Sequence, residues 1–298
     1  MFTPFGAEAT HVLAVFGWMT LAAGVILVAV LALSAFAIRR QGGRLTHEQG
    51  MRMVLWLGAA IPSGLLLILL IATLPAMRPI PAGERDLRIV VSGEQFWWRV
   101  DYRPHDRAPV ASANEVRVPV GRTVEFRLEA GDVLHSFWIP GLAGKMDMIP
   151  GRTNRLVVRA TRAGRYRGQC AEFCGLSHAL MAFDVVAMEP AAFDAWLARE
   201  RAPATAGAAG AAGAFAAYGC GGCHAIRGTA AQGIIGPDLT HLGSRAHLGA
   251  GYRPNTVAEL TRFVRDAPAV KPGARMPAYP QMTDAEAGQI ARFLKELS

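Results

Sequence analysis

Residues 169–181 read QCAEFCGLSHALM and set Cys170, Cys174, His178 and Met181 within twelve residues of one another. Two thiols, an imidazole and a thioether form a soft-to-borderline ligand set, which favours copper over calcium or magnesium. Zinc is the chemical competitor, because Cys2His with a fourth group also suits it. A methionine ligand is poor for zinc and good for copper. The earlier segment DVLHSFWIP, 132–140, supplies a second imidazole at His135, provided that the two segments are loops at one end of a β-sandwich, where loops converge.

The surrounding pattern predicts such a sandwich. From Leu87 to Met188 apolar residues recur with period two. Val116, Val118 and Val120, then Val124, Phe126 and Leu128, flank Gly121-Arg122 and predict a hairpin of half-buried strands. LRIVV, RLVVRA and MAFDVVAM predict further strands, with Pro and Gly between them, for a sandwich of about 100 residues. The QCAEFCGLSHALM stretch then leaves one strand and enters another.

Toward the N-terminus the chain turns apolar. Residues 12–38 contain no charge and as a helix would span about 40 Å, against a hydrocarbon core of about 30 Å. A cleaved signal peptide is the alternative, but no Lys or Arg precedes Val12. Met53 to Leu74 is a second uncharged run, with Pro62 and Gly64 inside it, and reads as a spanning helix with a tolerated kink. Arg39, Arg40, Arg44 and Arg52 lie between or beside the two runs, which places their connection in the cytoplasm and both termini outside. Neither run carries a histidine set able to hold haem or copper inside the membrane.

Past Trp196 the sequence becomes RAPATAGAAGAAGA, which has no large side chain to bury and reads as a flexible tether. A second soluble module follows, with helices expected over 256–266 and 284–297, the latter opening at Thr283 with Glu286 three residues on. It carries Cys220-Gly-Gly-Cys223-His224. Cys-x-x-Cys-His is the attachment signature of c-type haem. A thioredoxin-like dithiol shares the spacing but belongs in a βαβ pattern, which is missing here.

Composition agrees with this division. The 298 residues are 52% hydrophobic and 18% charged, and the net charge of +8 spreads as +2 over 1–77, +3 over 78–201 and +3 over 214–298. No Lys/Arg run is denser than Arg39-Arg40, so a nucleic-acid surface is excluded from the reading. Four cysteines in two local pairs are too few and too close for a disulfide scaffold.

HSFWIPGLAGKMDMIPGRTN followed by GQCAEFCGLSHALM resembles subunit II of haem-copper cytochrome c oxidases, and the resemblance covers most of residues 1–200. YGCGGCHAIRG, GPDLTHLGSR and GARMPAYP resemble class I cytochrome c over 214–298. Together they imply a two-helix transmembrane anchor (1–80), an all-β cupredoxin-like Greek-key sandwich (81–201), an Ala/Gly linker (202–213) and an all-α cytochrome c domain (214–298).

The resemblance also implies a site list. Cys170 and Cys174 would bridge a dinuclear copper A centre, His135 and His178 would each cap one copper, and Met181 and the Glu172 carbonyl would complete the shells. The Glu172 side chain would hold magnesium at the boundary with subunit I. Cys220 and Cys223 would tether the haem, His224 and Met276 would ligate its iron, and Pro237 would accept a hydrogen bond from His224. Met282 is the rival distal ligand. Phe96, Trp97 and Trp98 resemble the aromatic run through which electrons enter copper A, a run that usually begins with tryptophan; the plainer reading is that these rings cover the sandwich edge. A glutamate usual at the start of the second helix is missing, and no proton-entry role is assigned to Glu48.

The expected function is the electron-entry subunit of a terminal oxidase. It would pass electrons from a donor such as a cytochrome c or a bc1-type complex through haem and copper to subunit I, with subunit III beside it, in the bacterial inner membrane. A copper A nitric oxide reductase subunit and a stand-alone membrane-anchored shuttle are the alternatives.

Overall fold

A computed structural model describes residues 3–39, 46–77, 81, 83, 87–205 and 209–298. Arg40 and Arg44 of the charged connection and residues 206–208 of the expected tether lie outside the described residues. The chain divides into two compact units, one comprising Thr10–Ile80, the other Met1–Ala9 with Pro81–Ser298.

The first unit is helical. α1 (Ala7–Arg39) and a second helix over His47–Thr73 are both long and apolar enough to cross a membrane. The second helix starts as α2 (His47–Met53), where Thr46 and Gln49 form a capping box, passes through a π-helical stretch over Val54–Ala60 and continues as α3 (Ile61–Thr73). The irregular stretch ends beside Pro62. Proline has no N–H to donate back along the helix, so the preceding hydrogen bonds shift register.

The second unit contains two five-stranded sheets. Its strands are β1 (Leu87–Glu94), β2 (Trp97–Arg103), β3 (Val110–Ala113), β4 (Glu115–Pro119), β5 (Thr123–Ala130), β6 (His135–Trp138), β7 (Met146–Met148), β8 (Asn154–Arg159), β9 (Gly164–Cys170) and β10 (Ala182–Met188). They are ordered β3-β2-β1-β5-β8 and β4-β10-β9-β6-β7. The expected hairpin between β4 and β5 does not form. β4 runs parallel to β10 in one sheet, with Val116 opposite Val185, and β5 runs parallel to β1 in the other, with Ile89 opposite Phe126. The valine row of β4 and the Val124-Phe126-Leu128 row are buried, and they bury each other's face across the sandwich instead of lying edge to edge. Gly121, at φ 76°, makes the turn between sheets in a conformation that favours glycine.

Aromatic rings fill the space between the sheets. Trp98, Phe137 and Phe183 are fully buried, with centroids 4.8–5.9 Å apart. The Trp98 indole N–H donates to the Ala182 carbonyl at 3.1 Å, so its one polar atom is satisfied inside the core. The N-terminal tail belongs to this core too. Phe5 is fully buried, stacks on Tyr166 with centroids 3.4 Å apart, and donates its N–H to Gly141 O. Phe5 and its neighbours therefore belong to the sandwich unit.

α4 (Pro190–Arg201) packs Trp196 against Tyr102 and leads toward the helical module. Part of the expected tether is ordered: α5 (Ala209–Ala217) begins inside it, as alanine's high helix propensity allows. α6 (Val257–Arg265), α7 (Ala267–Val270) and α8 (Asp284–Glu296) follow. α8 opens with the Thr283–Glu286 capping box and buries Ile290, Phe293 and Leu294. The module is docked on the sandwich: Arg227 donates to the Ala111 and Glu200 carbonyls at 3.1 and 2.5 Å, Arg99 donates to Ile234 O at 2.9 Å, and His247 pairs with Asp184 at 2.7 Å.

Candidate metal and haem sites

β9 ends at Cys170 and β10 begins at Ala182, so the ligand-rich stretch is the loop joining two neighbouring strands. Its ends are pinned by Cys170 N–H to Met181 O at 2.9 Å and by Ala171 N–H to Ser136 O at 3.0 Å. β6 lies next to β9, and Phe137 pairs with Cys170, which brings His135 at the start of β6 to the same end of the sheet. The expected convergence of two loops is present.

The sulfur atoms of Cys170 and Cys174 are 3.9 Å apart. His135 Nδ1 lies 3.9 Å from Cys170 Sγ and His178 Nδ1 3.6 Å from Cys174 Sγ, so each sulfur has its own imidazole. Met181 Sδ is 3.8 Å from Cys174 Sγ, and Glu172 O is 3.1 Å from Cys170 Sγ. The donor atoms of His135, Cys170 and Cys174 lie within 4.8 Å of one another, a group that His178 does not join. The six donors thus extend beyond the reach of a single four-coordinate ion, whose ligand bonds are about 2.0–2.3 Å.

Burial and hydrogen bonding prepare these groups for soft metal. The contact with Cys174, helped by His135, holds the Cys170 thiol below the ordinary thiol range against the opposing effect of burial. The same contact and burial push Cys174 up, so the two thiols do not lose their protons independently. His135 is fully buried, which favours its neutral form, but its contacts with Cys170 and Asp132 outweigh that and raise its pKa. Asp132 accepts from His135 Nε2 at 2.9 Å, which leaves Nδ1 for the metal side. Two further residues support the site from β1 and the turn after it. Gly93 lies flush against the His135 ring, Gln95 Nε2 donates to Cys174 O at 2.6 Å, and Gln95 N–H donates to Asp132 at 2.7 Å.

The Glu172 carboxylate is half-exposed and lies 3.7 Å from Lys145 Nζ. Among the described residues it joins no group of three metal-ligating side chains.

In the helical module, Gly219 at φ 70° enters a 3-10 turn over Cys220–Gly222, and His224 N–H donates to Cys220 O at 3.0 Å. Cys220, Cys223 and His224 line one apolar cavity, with Met276 and Tyr279. His224 Nδ1 donates to Pro237 O at 2.8 Å, so Nε2 is the free ligand atom. Burial lowers the His224 pKa, which keeps the imidazole neutral and able to coordinate. Gly236 sits beneath that ring, where a Cβ would fall 2.5 Å from Cε1. Met282 is 1% exposed in the helical core and is not among the residues lining the cavity, whereas Met276 is. His241 is occupied with Ala202 O.

The three aromatics take different positions. Trp98 is a core residue whose ring centroid lies 6.2 Å from that of His135. Phe96 and Trp97 line the haem-module cavity from the sandwich side, and Phe96 also lies against Gly175 of the metal loop. Arg99 stacks over Trp97 at 4.8 Å.

A protein of Alkalihalophilus pseudofirmus named cytochrome c oxidase subunit 2 is 35% identical over 297 residues, covering 92% of this chain and 84% of that protein. The chain belongs to the cytochrome c oxidase subunit 2 family. A second subunit 2, from Bacillus sp. strain PS3, is 32% identical and covers 82% of this chain and 73% of its own. The model of the cytochrome c oxidase subunit II periplasmic domain matches residues 99–188, and the cytochrome c model matches 208–298. The periplasmic domain of subunit II of cytochrome oxidase of Bradyrhizobium japonicum, a solved structure, is 30% identical over 41% of this chain and 96% of that one, with a TM-score of 0.37. The subunit 2 chain is thus a two-helix membrane protein with a cupredoxin-like periplasmic sandwich and a cytochrome c domain.

Proposed function

We propose that this subunit carries electrons from an external donor through a covalently bound haem c to a dinuclear copper A centre and on to oxidase subunit I. The observation that carries the proposal is the meeting of the two sites: the cavity holding His224 and Met276 is lined on its other side by Phe96 and Trp97, and Phe96 touches the loop that holds Cys174.

The residues fit both groups. Two sulfurs, each with its own imidazole, and a thioether and a carbonyl nearby suit a pair of copper ions, which Cys170, Cys174, His135, His178, Met181 and the Glu172 carbonyl would hold. Such a pair supplies a one-electron centre whose geometry changes little with redox state. Asp132 orients His135, the pinned loop ends fix the thiols, and the packed rings around Trp98 exclude water. On the haem side Cys220 and Cys223 would form the thioether links, Pro237 would orient His224, and His224 and Met276 would hold the iron, a ligand pair that favours electron transfer over ligand chemistry. Phe96 and Trp97 are the entry aromatics in this reading, and Trp98 packs the core behind His135. The half-exposed Glu172 carboxylate would meet magnesium at the face shared with subunit I. Subunit III, a cytochrome c or bc1-type donor and the bacterial inner membrane complete the setting.

Stopped-flow reduction of the purified oxidase tests this. Haem c should be reduced first and copper A second. In Cys170→Ser the haem should still be reduced while the copper signal and oxygen uptake vanish. Oxygen uptake at the wild-type rate in that variant would refute the route.

A further inference from the structure

The loop that carries Met276 also grips the copper-ligand loop. Lys271 is 2% exposed, and its ammonium donates to two neutral carbonyls, Leu180 O on the sandwich at 3.1 Å and Gly249 O in its own module at 2.6 Å. One residue on, Pro272 O accepts from the hydroxyl of Ser177 at 2.6 Å, and Ser177 is itself fully buried. Gly273, at φ 78°, is seated against Phe96 and Leu176, where a Cβ would fall 3.0 and 3.4 Å from their side chains. Arg275 reaches Asp132 at 3.0 Å, the carboxylate that also holds His135.

Each contact therefore falls beside an expected copper ligand. Leu180 precedes Met181, Ser177 precedes His178, Leu176 follows Cys174 by two residues, and Asp132 backs His135. Four of the five residues 271–275, which lead directly to the expected distal haem ligand, touch the support of four expected copper ligands. A buried ammonium is costly to desolvate. Within the helical module Lys271 has one carbonyl to show for that cost, and its second acceptor exists only when the modules are docked.

We propose that residues 271–275 are an interdomain clamp, anchored by Lys271, that positions the Met276 loop on the copper loop and so sets the rate of electron passage between the two centres. The proposal rests on the electron-entry reading above. One electron leaves the haem iron, which is oxidised, and enters the copper pair, which is reduced; no bond forms or breaks. Lys271 touches neither centre and acts as a positioning residue. Electron passage weakens as the two centres separate or lose their packed contact, so loosening the anchor should be readable.

The test uses the whole oxidase, with flash-initiated transfer from haem c to copper A as the readout. Lys271→Met should slow that step several-fold, while both optical spectra and the rate of haem reduction by the external donor stay at wild type. Lys271→Arg should recover part of the rate. Ser177→Ala, which removes one clamp contact from the other side, should slow the same step if Lys271→Met fails to assemble. Arg227→Gln, which loosens the interface away from the clamp, should leave the step unchanged. Wild-type transfer in Lys271→Met or, should that variant fail to assemble, in Ser177→Ala would overturn the clamp, as would equal slowing in Arg227→Gln. Wild-type oxidase in which reduced haem c never reduces copper would instead overturn the electron-entry reading itself.

Discussion

Replacing Gly93 with alanine should damage the copper centre while sparing the fold and the haem module. Gly93 is buried in β1, opposite Trp98 on β2, and faces His135 across the sandwich. A Cβ at this position would lie 2.8 Å from both Cγ and Cδ2 of the imidazole. Carbon atoms pack at about 3.5–4.0 Å, so the ring must retreat by about 0.7–1.2 Å or the strand must bow. His135 is fully buried and held by Asp132 at 2.9 Å. A retreat of that size breaks either this hydrogen bond or the alignment of Nδ1 with Cys170. Overpacking costs about 1–3 kcal/mol, and disturbing the partner that orients a ligand lowers metal affinity by about 10- to 100-fold. Copper content per chain, the copper absorption bands and thermal unfolding would be measured on purified Gly93→Ala, with the haem spectrum as internal control. Full copper occupancy with wild-type bands and an unchanged melting temperature would refute the packing argument.

Phe5→Ala should cost about 3–5 kcal/mol, since it empties the buried stack on Tyr166. Denaturant unfolding of the purified subunit measures that loss, and wild-type stability would contradict it. Met276→Ala should leave the haem attached but open its iron to added carbon monoxide, whereas Met282→Ala should lose about 2–5 kcal/mol of stability with the haem spectrum unchanged; the opposite pattern would exchange the roles of the two methionines. Burial lowers Lys271 from the ordinary 10.5 to about 7, so above about 7 the unfolded chain holds a proton that the folded one has released. Stability contributed at this group therefore rises with pH from about 7 to about 10.5, by at most about 5 kcal/mol, and is flat outside that window. Denaturant titrations across the window should show the slope in the wild type and its loss in Lys271→Met; equal slopes would contradict the assignment.

The ligand loop was legible because its donors are contiguous: the single stretch from Cys170 to Met181 carries five of the six donors, and no long-range packing is needed to place those five in one segment. His135 was legible for a related reason, since both segments end strands in one sheet. The membrane helices declared themselves by uncharged length. The β4–β5 pairing was not legible, because period two reveals which face of a strand is buried and says nothing about which edge it pairs with. The helix that begins inside the Ala/Gly stretch was not legible, because lack of large side chains argues against a core but not against an alanine helix. Asp132, Gly93 and Lys271 escaped notice for a common reason. Their roles lie in contacts across 3, 42 and 91 residues of chain, to His135, His135 and Leu180, and the latter two exist only after the sheets and modules have packed. Asp132, three residues before His135 in DVLH, was the one with a local signal.

Metal analysis combined with electron paramagnetic resonance of the purified native subunit tests the central claim most directly. Two coppers and one covalently held iron per chain, with a single unpaired spin spread over both copper nuclei, is the predicted result. One copper, or zinc bound between Cys170 and Cys174, would contradict it.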